Sequence, residues 1–135
     1  MKKFFLIFII LSFCFSSSFL VTLAKDPAPP KKTPELLAEG KKLFEQNCSL
    51  CHGPKGDGTG PAGTALKPPP NDFTKPLKDW PTTKGDPNKI FEVISKGIPG
   101  SAMIKWDQFP DQERWALVYR VIDFSAPSNT PAKKK

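Results

Sequence analysis

The sequence predicts an all-α domain of three or more helices joined by long glycine- and proline-rich loops. Three observations lead there. Apolar residues recur at helical spacing in three separate stretches, each introduced by a capping residue or a proline. The segments between those stretches hold most of the 9 glycines and half of the 16 prolines. No run alternates apolar and polar residues as a half-buried strand would.

The first helix is expected from Pro34, with Thr33 as its cap and the proline in its first turn. Leu36, Leu37, Gly40, Leu43 and Phe44 fall on one face, and Lys41, Lys42 and Glu45 lie off it. Gly53 and Pro54 place its end near Cys48 to Cys51. Gly53 to Gly63 and Lys67 to Pro81 then read as irregular, with Phe73 and Trp80 as their contacts to a core. Asp86 and Pro87 announce a second helix, whose buried side is Ile90, Phe91, Ile94 and Ile98 and whose end suits Gly97. A further loop, Ile98 to Phe109, carries Pro99, Gly100 and Met103. The last helix runs from about Pro110 to about Phe124, with Asp111 and Glu113 favouring its start. Its two apolar rows, Trp115/Val118/Ile122 and Leu117/Val121/Phe124, imply burial on two sides.

The ends of the chain read differently. Lys2 and Lys3 precede an uncharged run from Phe4 to Ala24, and Thr22-Leu23-Ala24 is a passable cleavage site. Residues 1–24 are therefore a secretory signal or, since the run is long enough to span a bilayer, a retained anchor. Lipid attachment at Cys14 is disfavoured by the bulky Phe13 before it. Either main reading exports the remainder. Residues 25–32 form a Pro/Lys linker, 33–126 the folded domain and 127–135 a disordered basic tail. The net charge of +7 sits at those ends. The signal and the linker carry two charges each and Lys133 to Lys135 three, which leaves residues 33–130 neutral. A nucleic-acid binder would gather positive charge on a folded face, so that class is set aside.

Loops of this length inside a small domain normally count against a helix assignment. A large apolar group resolves the conflict, because loops can wrap it and bury side chains on it. Beyond the signal the chain keeps only Cys48 and Cys51, and its single histidine, His52, follows directly. Cys48-Ser49-Leu50-Cys51-His52 is the Cys-x-x-Cys-His pattern of covalent haem attachment. Two thiols add across the two vinyl groups of the porphyrin, and the neighbouring imidazole reaches the iron. A dithiol redox site would put the first cysteine at a helix N-terminus, whereas this pair ends a helix. Structural zinc needs four ligands that the chain does not offer, and a disulfide would close only a tiny loop. No second histidine exists, so the other axial ligand is Met103 from its Gly/Pro loop, or the sixth position stays weak or open.

The chain resembles the class I c-type cytochromes, small bacterial monohaem ones in particular, over roughly Pro34 to Phe124. The resemblance rests on Cys48 to Gly53, Gly56-Asp57-Gly58-Thr59-Gly60-Pro61-Ala62, Pro69 to Phe73, Gly97 to Met103 and Arg114-Trp115-Ala116-Leu117-Val118. It implies the cytochrome c fold wrapped around one covalent haem c, with His52 and Met103 as the iron ligands. It implies further that the first and last helices cross with Gly40 and Phe44 at the contact. The Pro61 carbonyl is the family's partner for the other His52 nitrogen, against an ordinary turn role for Pro61. One departure stands out: where family members often carry an aromatic three positions after the leucine matching Leu117, this chain has Arg120, and the aromatic is Tyr119.

The expected function is single-electron transport by a monohaem carrier, not an enzyme, in a periplasmic or otherwise exported respiratory chain. Its partners would be a donor reductase or dehydrogenase and a terminal acceptor. A cytochrome subunit of a larger membrane respiratory enzyme, held at the inner membrane, is the first alternative. An open-iron haem protein that binds or senses small ligands is the second.

Overall fold

The computed structural model describes residues 28–125. The signal or anchor segment, the first residues of the linker and the basic tail lie outside the described residues. Those described are helical, with no strand among them: α1 (Pro34–Asn47), α2 (Ser49–His52), a short 3-10 turn (Leu77–Asp79), α3 (Pro87–Lys96) and α4 (Asp111–Asp123).

The expected caps are in place. Thr33 Oγ1 accepts a hydrogen bond from the Leu36 amide at 3.3 Å, and Pro34 occupies the first turn of α1. Asp86 Oδ1 accepts from the amides of Asn88 (2.9 Å) and Lys89 (3.3 Å), opening α3. These side chains satisfy amides that a helix start leaves without partners. The first helix departs from expectation at its end. It stops at Asn47, and Cys48 serves as the joint to the single turn of α2. Continuity is kept because the Cys48 amide still reaches the Phe44 carbonyl at 2.9 Å, while the Cys48 carbonyl accepts from His52 at 2.9 Å.

Helix α1 packs across α4. Leu36, Gly40, Leu43 and Phe44 form its buried face, and Leu37 is half-buried. On α4 the burial runs from Trp115 through Val118 with Val121, while Ile122 and Phe124 are half-buried at its end. A β-carbon on Gly40 would run into the Ala116 carbonyl, so this glycine sets the close approach of the two helices. The Phe44 ring completes the crossing against Phe124, with centroids 4.9 Å apart. Helix α3 joins through Phe91, stacked on Trp115 at 4.7 Å, with the Arg114 guanidinium over the Phe91 ring. Trp80 is buried and ties its indole N–H to the Lys75 carbonyl at 3.0 Å, and Phe73 packs against the same core.

Residues 30–32 lie along α4. The Tyr119 hydroxyl donates to the Pro30 carbonyl at 2.5 Å, and Lys32 pairs with Asp123 at 2.6 Å. The domain end of the Pro/Lys linker is thereby tied to the last helix.

The Gly40 contact gives a direct test. Gly40→Ala pushes a methyl group into backbone that cannot yield, an overpacking cost of about 1–3 kcal/mol. Thermal unfolding of the cofactor-loaded protein should fall by about 4–8 °C for each kcal/mol.

Candidate haem site

A single turn of helix displays the three motif residues together. Cys48 closes α1, and Cys51 and His52 complete α2. The loop that follows is packed onto this turn. The Ala62 amide donates to the Leu50 carbonyl at 2.9 Å and the Gly58 amide to the His52 carbonyl at 2.8 Å. A β-carbon on Gly63 would collide with the Cys51 carbonyl, so the loop can lie this close only with glycine there.

The turn opens on a cavity of about 520 Å³. Cys48, Cys51 and His52 line it on one side of the sequence and Met103 on another. Pro68, Pro69 and Pro70 add rigid apolar wall without unpaired amide donors, and Ile90 and Val93 present the inner face of α3. The Met103 segment is held as a compact loop. The Ile98 amide donates to the Met103 carbonyl at 3.1 Å, and the Met103 amide donates to Ser101 Oγ at 3.1 Å. Ser101 Oγ in turn donates to the Ile98 carbonyl at 2.8 Å. Trp106, which also lines the cavity, anchors the far end of this loop by donating its amide to the Ile94 carbonyl at 2.9 Å.

His52 is stacked on Phe73, with ring centroids 4.7 Å apart and an interplanar angle of 18°. Its Nδ1 lies 3.5 Å from the Asn71 carbonyl oxygen. The backbone oxygen beside the imidazole is thus that of Asn71, and the structure gives Pro61 no such contact. Asn71 reaches this place because the Phe73 amide bonds the Gly56 carbonyl at 2.7 Å, folding the 70–73 strip under the histidine. Burial holds the His52 pKa below its ordinary value, partly offset by the Asn71 carbonyl. A neutral imidazole with a free lone pair is the form a metal requires. Burial, with the neighbouring Cys51 as a lesser cause, pushes the Cys48 thiol up to about 12. Such a thiol stays protonated, which counts against a dithiol-exchange site. The two cysteines form no disulfide with each other.

Residues 35–119 match the family described as cytochrome C oxidase, cbb3-type, subunit III. The chain belongs to this family. It is a c-type cytochrome domain, an electron carrier rather than an enzyme, and it takes covalent haem c with its iron. A chain of the Kuenenia stuttgartiensis reducing HAO-like protein complex Kustc0457/Kustc0458 is similar in structure, with a TM-score of 0.66 and 26% identity. The match covers 74% of this cytochrome and 48% of that chain, so this chain matches about half the length of its structural neighbour. Among curated proteins none matches.

The residues present fit the cofactor. Two thiols and an imidazole from one turn, a thioether from a distant loop and a largely apolar hollow form a donor set suited to haem c. The cavity volume lies within the range of about 300–1,000 Å³ usual for ligand sites. Reading the sequence missed Asn71, Trp106 and the proline wall as parts of the site. Trp106 carried the one usable signal, an aromatic residue three positions after Met103 in the same loop.

Ser101→Ala removes the two side-chain bonds among those that brace the Met103 loop, a loss of about 1 kcal/mol. Amide exchange at Ile98 and Met103 should accelerate about fivefold in the cofactor-loaded protein, with α1 and α4 unaffected.

Proposed function

We propose that this protein is a monohaem electron carrier with His52 and Met103 as axial ligands, tethered to its cofactor through Cys48 and Cys51. The observation that carries this reading is the convergence of those four side chains on one apolar cavity from two distant segments. Bound haem c supplies a one-electron ferric/ferrous couple. The protein's own groups define the environment of that couple. Cys48 and Cys51 fix position through two bonds from one helical turn. His52 is held neutral by burial and oriented by the Phe73 stack and the Asn71 carbonyl. Such outer contacts set ring orientation and tune the metal. Met103 brings a thioether sulfur, which favours the ferrous state, on a loop braced at both ends.

Leu50 and Ile104 are the exposed large hydrophobic residues among those described, at 61% and 60% relative exposure. Both line the cavity, one beside Cys51 and the other beside Met103. They make an apolar rim suited to a brief encounter with a redox partner, a donor reductase or dehydrogenase on one side and a terminal acceptor on the other. Aliphatic rim contacts on an electrically balanced domain imply docking with weak dependence on salt.

Domains of this type are usually exported, and no helix among the described residues is long and apolar enough to cross a membrane. We place this one in the periplasm, with residues 1–24 as a cleaved signal or a retained inner-membrane anchor. A second reading is favoured by the family's description as an oxidase subunit. In it, the domain relays electrons inside a larger membrane enzyme. Co-purification with a membrane complex separates the two readings.

Protein made in a host competent for haem attachment should carry one haem in its intact mass, and acid extraction should leave it on the polypeptide. Cys48→Ala with Cys51→Ala should abolish that retention. Met103→Ala should keep the haem but lose the weak far-red absorption of the oxidised form and bind carbon monoxide when reduced. Unchanged far-red absorption in that variant would sink the Met103 assignment.

Replacing both rim residues, Leu50→Glu with Ile104→Glu, should slow electron exchange with a physiological partner by roughly tenfold, the rate equivalent of about 1.4 kcal/mol. Stopped-flow kinetics measures this, and the absorption spectrum should not change.

A further inference from the structure

We propose that Arg120 is an electrostatic positioning residue that raises the reduction potential of this cytochrome from the His52 side. The proposal rests on His52 as an iron ligand, as argued above.

The departure from the family pattern at this position has a definite structural consequence. Tyr119, the nearby aromatic, is not at the helix crossing; it faces Pro30 and Trp115. Arg120 is at the crossing, its Cβ among the atoms that a β-carbon on Gly40 would meet. Its guanidinium lies 4.0 Å from the centroid of the Phe124 ring and 6.0 Å from that of Phe44. The arginine thus fills with a stacked cation the space that a ring would otherwise fill.

That cation is not neutralised by a carboxylate. Among the described residues Arg120 has no ion pair, and its Nε is buried without a hydrogen-bond partner. An acid at each end of α4 is engaged elsewhere: Asp123 pairs with Lys32 and Asp111 with Arg114. The aromatic rings that hold the guanidinium leave its full charge in place.

The charge lies one ring away from the imidazole. Phe44 is fully buried, and its centroid is 6.5 Å from that of His52. The buried Phe44 ring thus borders both groups, 6.0 Å from the half-buried guanidinium and 6.5 Å from the imidazole, and apolar material screens charge poorly. A fixed positive charge disfavours the ferric state, which carries one more positive charge than the ferrous. The chain thus gains a second influence on its couple, independent of the axial sulfur.

The test uses the full-length cytochrome with haem attached. The ferrous-to-ferric ratio is read at one fixed solution potential for wild type, Arg120→Gln, Arg120→Lys and Arg120→Trp. The neutral variants Arg120→Gln and Arg120→Trp should each show a ratio lower by roughly three- to sixfold, the Coulomb effect of one charge at about 15 Å from the iron in an effective dielectric of about 20–35. Arg120→Lys should stay within about twofold of wild type, even where its melting temperature falls through lost stacking. Arg120→Trp restores a ring at the crossing, so it keeps the measurement decisive should Arg120→Gln fail to fold. The proposal is overturned if Arg120→Trp matches wild type, or if Arg120→Lys drops as far as the neutral variants, which would make the effect one of packing. A wild-type spectrum that lacks imidazole ligation would instead remove the His52 assignment, and this proposal with it.

Discussion

The constraint on which this domain depends is an apolar hollow of about 520 Å³ inside fewer than a hundred described residues. A chain this short cannot support such a hollow from its own contacts, because lining atoms without neighbours forfeit their dispersion and their shielding from water. The helices surround only part of it. The rest of the wall is irregular backbone, from the proline strip to the Ile98–Met103 loop. These loops hold their shape through local bonds such as Phe73 to Gly56 and Ser101 to Ile98, but their inner faces have little protein to lie against. The bound group is therefore as much the centre of the core as any side chain. Attachment through the two cysteines of one turn, as proposed, would make that centre permanent.

The contact of α1 with α4 stands behind this hollow. It forms without any cavity-lining residue from α4, so the crossing provides a rigid back wall whose details can vary while the site is kept. Phe44 couples the two regions. It is buried at the crossing among Phe124 and the Arg120 guanidinium, and it also borders the His52 and Phe73 rings. A continuous cluster of rings thus runs from the helix crossing to the imidazole. What happens at the crossing is transmitted to the site as packing and as charge, and this is why the arginine in an aromatic's place has meaning beyond stability.

The helices were legible because their signals are local. Thr33 with Pro34 and Asp86 with Pro87 act within their own first turns, and the apolar faces of α1 and α4 follow from spacing alone. Cys48, Cys51 and His52 stand out in the sequence because attachment chemistry demands adjacent residues, and Met103 because no other methionine follows the first; the fold brings all four to one cavity. The features that escaped are tertiary. The break between α1 and α2 at Cys48 leaves no mark in residue type, since its backbone stays near helical values. The Asn71 carbonyl beside His52 is main chain, which any residue could offer, and the resemblance pointed to Pro61 instead. The tie between Tyr119 and Pro30 joins residues 89 positions apart, and only the folded chain brings them together.

That tie bears on how the domain meets its surroundings. Pro30 and Lys32 are held along α4 by Tyr119 and Asp123, so the chain enters the domain over a helix that contributes nothing to the cavity wall. The apolar rim at Leu50 and Ile104 belongs to other elements, α2 and the Met103 loop. Entry and rim therefore occupy different parts of the surface. Electron transfer falls steeply with distance, so an obstructed rim would defeat a carrier however well its iron were held. Securing the incoming strand to α4 leaves that rim free, and it does so with one hydroxyl, one ion pair and no change to the site itself.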